Sequence, residues 1–172
     1  RHNVGADLVL ELAKSLHAKL KYESKFFGDT TRVSIAGRDV RLLIPSTFMN
    51  LSGKSVAAMA RFYQIAPENI LVVHDELDMD PGTVRFKKGG GHGGHNGLRD
   101  TIKSLGNNKD FARLRIGIGH PGQANLVSDY VLKKAALSDQ QLIANSIDDA
   151  LRHLPTAVEG QWEKAMTALH SL

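Results

Sequence analysis

The chain has 172 residues, of which 42% are hydrophobic and 23% are charged, and its formal net charge at pH 7 is +4. This composition predicts a single globular domain spanning residues 1–172 and excludes a disordered chain, while the apolar runs fall far short of the ~20 residues of a membrane-spanning helix. The sequence contains no cysteine, which excludes disulfides, thiolate metal sites and a cysteine nucleophile and favours a cytoplasmic location.

The first third of the chain predicts two helices with a hairpin between them. Apolar residues at helical spacing predict the first helix over residues 4–20. Two β-branched runs, residues 31–35 and 39–44, flank Gly37 and predict a hairpin with a tight turn. Helical spacing returns over residues 52–65 and predicts the second helix.

Residues 70–73 are continuously apolar, which predicts a strand buried on both faces, as in a parallel sheet covered by helices. Three polar residues follow at the carboxyl end of this strand: His74, Asp75 and Glu76. Open α/β sheets place their binding crevice at this end, so Asp75 is a candidate site residue that could orient a histidine. A capping or salt-bridged aspartate is the structural alternative.

Residues 83–88 and 113–118 alternate between apolar and cationic side chains, which predicts two further strands. Each strand would present two cations on one side: Arg85 and Lys87 on the first, Arg113 and Arg115 on the second. The span 85–115 holds eight basic and two acidic residues, a net charge of +6. Such a concentration is typical of a polyanion-binding surface, with a solvated charged face as the alternative.

A glycine-rich segment, residues 89–97, precedes a predicted helix over residues 98–105 and allows three interpretations. It formally matches the GxGxxG dinucleotide fingerprint but lacks the acidic residue expected ~20 residues further on. It contains His92 and His95, which with His74 and Asp75 could bind a metal, although no helical ligand spacing such as HExxH is present. Alternatively, the glycines let Asn96 approach a bulky substrate, unless Asn96 caps the helix.

The last part of the chain predicts two helices, residues 139–154 and 157–169, with Ser138 and Thr156 as N-caps. Strands interleaved with helices predict an α/β fold. We expect a single domain with a twisted, mixed and mostly parallel sheet flanked by helices.

Five motifs occur in order along the chain: RHN at residues 1–3, IPSTFMNLSG at 44–53, HDELD at 74–78, GGGHGGHNGL at 89–98 and RLRIGIGHPG at 113–122. Together they resemble bacterial peptidyl-tRNA hydrolase. The resemblance implies an enzyme that hydrolyses the ester between a peptide and the 3′-terminal ribose of tRNA, and thereby recycles tRNA. It implies no cofactor and no metal, and we expect a cytoplasmic monomer without an obligate protein partner.

The resemblance also implies roles for single residues. His2 would be the general base that activates water, and Asp75 would orient it. Asn50 and Asn96 would also take part in catalysis by positioning the scissile ester and water. The residues expected to bind the peptide side of the substrate are Phe48, Met49, Asn50, His95 and Asn96.

The tRNA side of the substrate is expected to meet the cationic strands. Lys87 and Arg115, with Arg85 as a further candidate, match cations that bind tRNA phosphate in the family. Family members carry an initial strand and a GLxNPG turn before the RHN motif, so we expect this chain to be a fragment of a longer protein. Two other hypotheses are an RNA-binding module without catalysis and a metal-dependent hydrolase built on His74, His92 and His95.

Overall fold

The structure is a computed structural model that describes residues 3–48, 51–132 and 135–170. The described chain forms two compact units, each assembled from separate stretches. Unit 1 comprises the residues up to Leu8, Val73–Lys87 and the residues from Leu114 onward. Unit 2 comprises Val9–Val72 and Lys88–Arg113. Helices and two sheets, one of them mixed, confirm the predicted α/β class.

Unit 2 contains an antiparallel sheet in the order β1-β2-β3, two helices and most of a third. The elements are α1 (Val4–Ser15, which begins in unit 1), β1 (Lys21–Glu23), β2 (Gly28–Ile35), β3 (Arg38–Pro45), α2 (Ser52–Phe62) and α3 (Asn96–Ser104). The predicted helix over residues 4–20 is therefore too long, because the chain leaves α1 at Ser15 and soon enters β1, a strand that the sequence pattern did not indicate.

The predicted hairpin is confirmed. Strands β2 and β3 pair along their whole lengths around the two-residue turn Ala36-Gly37. These two residues have φ of 52° and 74°, the left-handed pair that a type I′ turn requires. Because the hairpin and β1 form an antiparallel sheet of their own, antiparallel pairing is more frequent than we predicted.

The second sheet lies mainly in unit 1 and has the strand order β4-β6-β5, with β4 at Leu71–Glu76, β5 at Val84–Lys88 and β6 at Ala112–Gly117. Strand β6 is parallel to β4 and antiparallel to β5, as the amide-to-carbonyl hydrogen bonds at the strand ends indicate: Ala112 to Ile70, Ile118 to Glu76, Gly89 to Phe111 and Gly117 to Thr83. Strand β6 lies between the other two strands, and its apolar side chains are fully buried.

Three helices complete unit 1: α4 (Val127–Leu132), α5 (Leu137–Val158) and α6 (Trp162–His170). None of the described helices is both long enough and apolar enough to cross a membrane. The predicted caps Ser138 and Thr156 both lie inside α5, and the sequence pattern did not indicate α4.

Helix α5 runs through Pro155, where we predicted a break between two helices. Pro155 lies in the last turn, so the missing amide removes one hydrogen bond near the helix end. Leu154 and Ala157, on either side of the proline, are both buried, and a continuous helix keeps both of them in the apolar interior. The break occurs instead at Gly160, whose φ of 86° suits glycine.

Candidate active site and cationic surface

Asp75 is a buried residue, the last but one of strand β4. Asp75 is 2% exposed, and the preceding His74 is 5% exposed. Since neighbouring strand residues point to opposite faces, β4 is buried on both faces at its carboxyl end. As predicted, these polar residues end the strand, and with Glu76 they are its final residues. A buried carboxylate needs partners, which makes Asp75 a candidate for orienting another polar group.

His74 has a structural hydrogen bond. Its Nδ1 lies 2.7 Å from the carbonyl oxygen of Asp75. A carbonyl can only accept, so Nδ1 of His74 carries the proton and donates it. This bond fixes the backbone around Asp75. Among the residues that the structure describes, no group of three or more histidine, aspartate and glutamate side chains is placed to hold a metal ion.

The beginning of α1 lies against β4. A Cβ atom added to Gly5 would overlap the carbonyl oxygen of Val73, so only glycine permits this approach without a shift. Val73 is two residues before Asp75, and Gly5 is three residues after His2. His2 itself lies outside the described residues, as do Met49 and Asn50. The close packing nevertheless brings the segment that follows His2 to the strand that carries Asp75.

The first turn of α2 packs against the second half of α3. The amide of Gly53 donates to Oδ2 of Asp100 at 2.7 Å, and a Cβ on Gly53 would overlap the backbone of Asp100. Leu51, the N-cap of α2, provides no side-chain hydrogen bond, so the carboxylate of Asp100 supplies an anionic partner for this helix start. Phe48, just before α2, is 82% exposed and therefore available to an apolar partner.

The start of α3 differs from the prediction in one respect. The N-cap is His95, whose Nδ1 accepts from the amide of Leu98 at 3.2 Å, and not Asn96. Asn96 is the first residue of α3 and is exposed. The alternative that Asn96 caps α3 is therefore wrong, and the side-chain amide of Asn96 does not serve as the N-cap.

The cations of β5 follow the predicted alternation. Val84 and Phe86 are 6% and 2% exposed, whereas Arg85 is half-buried and Lys87 is exposed. Arg115 on β6 forms an ion pair with Glu76 at 3.9 Å, and both side chains are partly exposed. Such a pair is weak, so Arg115 can exchange the carboxylate for another anion.

Arg113 does not belong to this surface, although we predicted that it would. It is 1% exposed. Its guanidinium donates to the carbonyl oxygens of Gly89, Gly90 and Lys109, and its side chain is thereby turned into unit 2.

His170, at the end of α6, lies beside the cationic strand β5, which the sequence did not indicate. Its Nε2 accepts from the amide of Phe86 at 3.1 Å, so the imidazole borders β5. It lines a cavity of about 100 Å³ together with Arg85, Asp149 and other residues. Burial lowers the pKa of His170 below its ordinary value of 6.5, and the positive charges of Arg85 and Arg115 lower it further. Arg85, Arg115 and His170 are thus electrostatically coupled.

The whole chain, residues 1–172, matches the family model described as peptidyl-tRNA hydrolase. The chain belongs to the peptidyl-tRNA hydrolase family. Similar proteins include the peptidyl-tRNA hydrolase of Teredinibacter turnerae, 60% identical over 99% of this chain and 89% of that protein. The peptidyl-tRNA hydrolase of Vibrio parahaemolyticus is 58% identical over 99% of this chain and 87% of that protein.

Solved structures of peptidyl-tRNA hydrolases have the same fold. The crystal structure of the enzyme from Acinetobacter baumannii matches with a TM-score of 0.95 and 51% identity, over 98% of this chain and 85% of that one. A crystal structure of a peptidyl-tRNA hydrolase with N-propanol matches with the same TM-score, identity and coverage. The predicted family and fold are therefore confirmed.

We expect replacement of Arg85 by alanine to raise the pKa of His170, because one of the lowering charges is removed. The value should stay below 6.5, since burial is the largest cause. Titration of the imidazole by NMR measures this, with Lys164→Ala as a control that removes an exposed charge from the same helix. An unchanged pKa of His170 in Arg85→Ala would contradict the coupling.

The same shift predicts a dependence of stability on pH. Because the folded state disfavours the protonated imidazole, the contribution of His170 is present above pH 6.5 and is lost as the pH falls through its folded-state pKa. In His170→Gln the free energy of unfolding should fall less between pH 7 and acidic pH than in the parent. Urea unfolding across this range measures the difference, and equal losses in both proteins would contradict the expectation.

Proposed function

We propose that this member of the peptidyl-tRNA hydrolase family cleaves the ester between the peptide and the 3′-terminal ribose of peptidyl-tRNA, with His2 as general base and Asp75 as its orienting residue. The observation that carries the proposal is the packing of Gly5 against Val73. It joins the segment after His2 to the strand of the buried Asp75.

The proposed reaction is attack by water. His2 accepts a proton from water as the oxygen bonds to the ester carbonyl carbon, and the carboxylate of Asp75 stabilises the imidazolium that forms. The tetrahedral intermediate then expels the ribose oxygen, which takes the proton from His2. The products are a peptide with a free carboxyl group and a tRNA with a free ribose hydroxyl. These reaction steps require no metal or cofactor.

The peptide side of the substrate is proposed to meet the starts of α2 and α3. Asn96 is exposed at the first position of α3, where its amide can donate to a peptide carbonyl and accept from a peptide amide. Exposed Phe48 offers an apolar surface for peptide side chains. His95 contributes through the cap that fixes the start of α3. Met49 and Asn50 complete this side in the proposal, although both lie outside the described residues.

The tRNA side is proposed to meet Lys87, Arg115 and Arg85. Lys87 is exposed, and the ion pair of Arg115 with Glu76 is weak enough to be replaced by phosphate. A bound phosphate would offset the charges of Arg85 and Arg115 and so raise the pKa of His170. Because tRNA is the partner, we propose that the reaction takes place in the cytoplasm. We also propose that the chain acts as a monomer.

We expect Lys87→Ala and Arg115→Ala to raise KM for peptidyl-tRNA with little change in kcat. Each should also make the negative slope of log affinity against log salt concentration shallower by about 1, because each removes one phosphate contact. Steady-state kinetics at several salt concentrations measure both effects, with exposed Lys14→Ala in helix α1 as the matched control. A fall in kcat with unchanged KM would overturn the assignment of these cations to tRNA.

A further inference from the structure

We propose that Arg113 is a positioning residue that fixes the glycine-rich segment in the shape required for His95 and Asn96 to meet the substrate. This inference rests on the proposed function for the role of Asn96. It assigns to a buried cation a task different from binding phosphate. The contacts of Arg113, the backbone of the glycines and the surroundings of the loop each support it.

The guanidinium of Arg113 is held on its edge by backbone carbonyl groups. It donates through one nitrogen to the oxygen of Gly89 and through the other to the oxygen of Gly90 at 2.6 Å, with a longer bond of 3.3 Å to Lys109. An arginine provides five N–H donors in a rigid planar fork, which suits several acceptors in one plane. Lysine offers a single ammonium and cannot reproduce this arrangement.

The face of the same guanidinium lies against an aromatic ring. Its central carbon is 4.4 Å from the centroid of the Phe111 ring, and Phe111 is 0% exposed. Arg113 itself is 1% exposed, which prevents it from contacting a phosphate in solution. Burying a charge is costly unless hydrogen bonds replace its water, and the carbonyl groups of the loop do so here.

The glycines make this arrangement possible. Gly89 and Gly90 have φ of 69° and 106°, values at which other residues would be strained. This backbone turns two successive carbonyl oxygens toward one side chain. Arg113 therefore holds the first end of the segment, six residues before Asn96.

The second end of the segment is held by histidines. The amide of His95 donates to the carbonyl oxygen of His92 at 2.9 Å, and Nδ1 of His92 accepts from the amide of Gly94 at 3.0 Å. The cap that His95 provides to α3 continues this chain of bonds. With both ends fixed, the short exposed stretch between them has little freedom, and its shape depends on Arg113.

The experiment compares Arg113→Lys, Gly90→Ala and the double variant in the full chain. Each single variant should lower kcat for peptidyl-tRNA by about 10- to 100-fold, since a misplacement of about 1 Å is enough for such a loss. The dissociation constant for deacylated tRNA should stay unchanged. The double variant should lose no more than the larger single loss, because both changes break the same contact.

Two further measurements separate positioning from a general loss of stability. Hydrogen exchange at the amides of Gly94 and His95 should accelerate in Arg113→Lys, while the amides of β2 keep their protection. Arg38→Lys, at an exposed position of the hairpin, is the control and should change neither exchange nor kcat. Unchanged kcat in folded Arg113→Lys, weaker tRNA binding with unchanged kcat, or additive losses in the double variant would each overturn the proposal.

Asn96→Ala distinguishes this proposal from the proposed function. If Asn96→Ala retains full activity while Arg113→Lys loses it, the substrate role of Asn96 fails and the loop acts through another group. If Asn96→Ala loses activity while Arg113→Lys keeps it, Arg113 is not a positioning residue. Parallel losses in kcat, together with faster exchange in the Arg113 variant alone, support both.

Discussion

Replacement of His2 by alanine is expected to lower kcat for peptidyl-tRNA hydrolysis by roughly 10²- to 10⁴-fold, the usual contribution of a well-placed general base. Affinity for tRNA should remain unchanged, because the proposed phosphate contacts are the cations of β5 and β6. Single-turnover cleavage measures the rate, and titration with deacylated tRNA measures the affinity. Both measurements use purified protein, and the rates are normalised to the concentration of folded protein, with folding checked by circular dichroism.

A matched control separates loss of the base from loss of any imidazole. His17 is exposed just after α1 and has φ of 55°, a conformation that asparagine tolerates well. His17→Asn should therefore keep full activity. If His2→Ala turned over at the parental rate, water would have to be activated by another group and the proposed mechanism would fail.

Asp75→Asn is expected to have the second large effect, a fall in kcat of about 10²- to 10⁴-fold. The substitution keeps the size of the side chain but removes the negative charge that stabilises the imidazolium. It also presents an NH₂ group where the imidazole should donate, which disfavours the active orientation. Asp75 is 2% exposed, so urea unfolding must show that the variant is folded under assay conditions.

The double variant His2→Ala/Asp75→Asn distinguishes cooperation from separate roles. If Asp75 acts through His2, the double variant should be no slower than His2→Ala alone, because residues that act as a unit are not additive. Asp78→Asn, at an exposed position near β4, is the control and should remain active. Independent, multiplying losses from His2 and Asp75 would contradict an orienting role for the aspartate.

The sequence predicted those elements that are marked by a pattern of neighbouring residues. The hairpin follows from two β-branched runs and Gly37, and the start of α1 follows from apolar spacing. The continuation of α5 through Pro155 could not be predicted, because it depends on the burial of Leu154 and Ala157 in the tertiary structure. Strand β1 is three residues long, too short for an alternating pattern.

The candidate site shows the same division. Family motifs predicted site roles for Asp75, Asn96 and the cations of β5, and these roles stay predictions. In the structure Asp75 is buried and Asn96 is exposed. Strand alternation correctly separated Arg85 from Phe86 but failed for Arg113, because alternation cannot reveal carbonyl groups that turn toward a side chain. No local pattern indicates the contact of His170 with β5, because the two are far apart in the sequence.

We propose that this chain is a metal-independent peptidyl-tRNA hydrolase whose base is His2. The most direct measurement follows release of peptide from peptidyl-tRNA by the purified chain before and after exhaustive chelation, beside His2→Ala. We predict cleavage that chelation leaves unchanged and that His2→Ala loses while still binding tRNA. Binding without cleavage by the parent chain, or activity lost on chelation and restored by added metal, would contradict the claim.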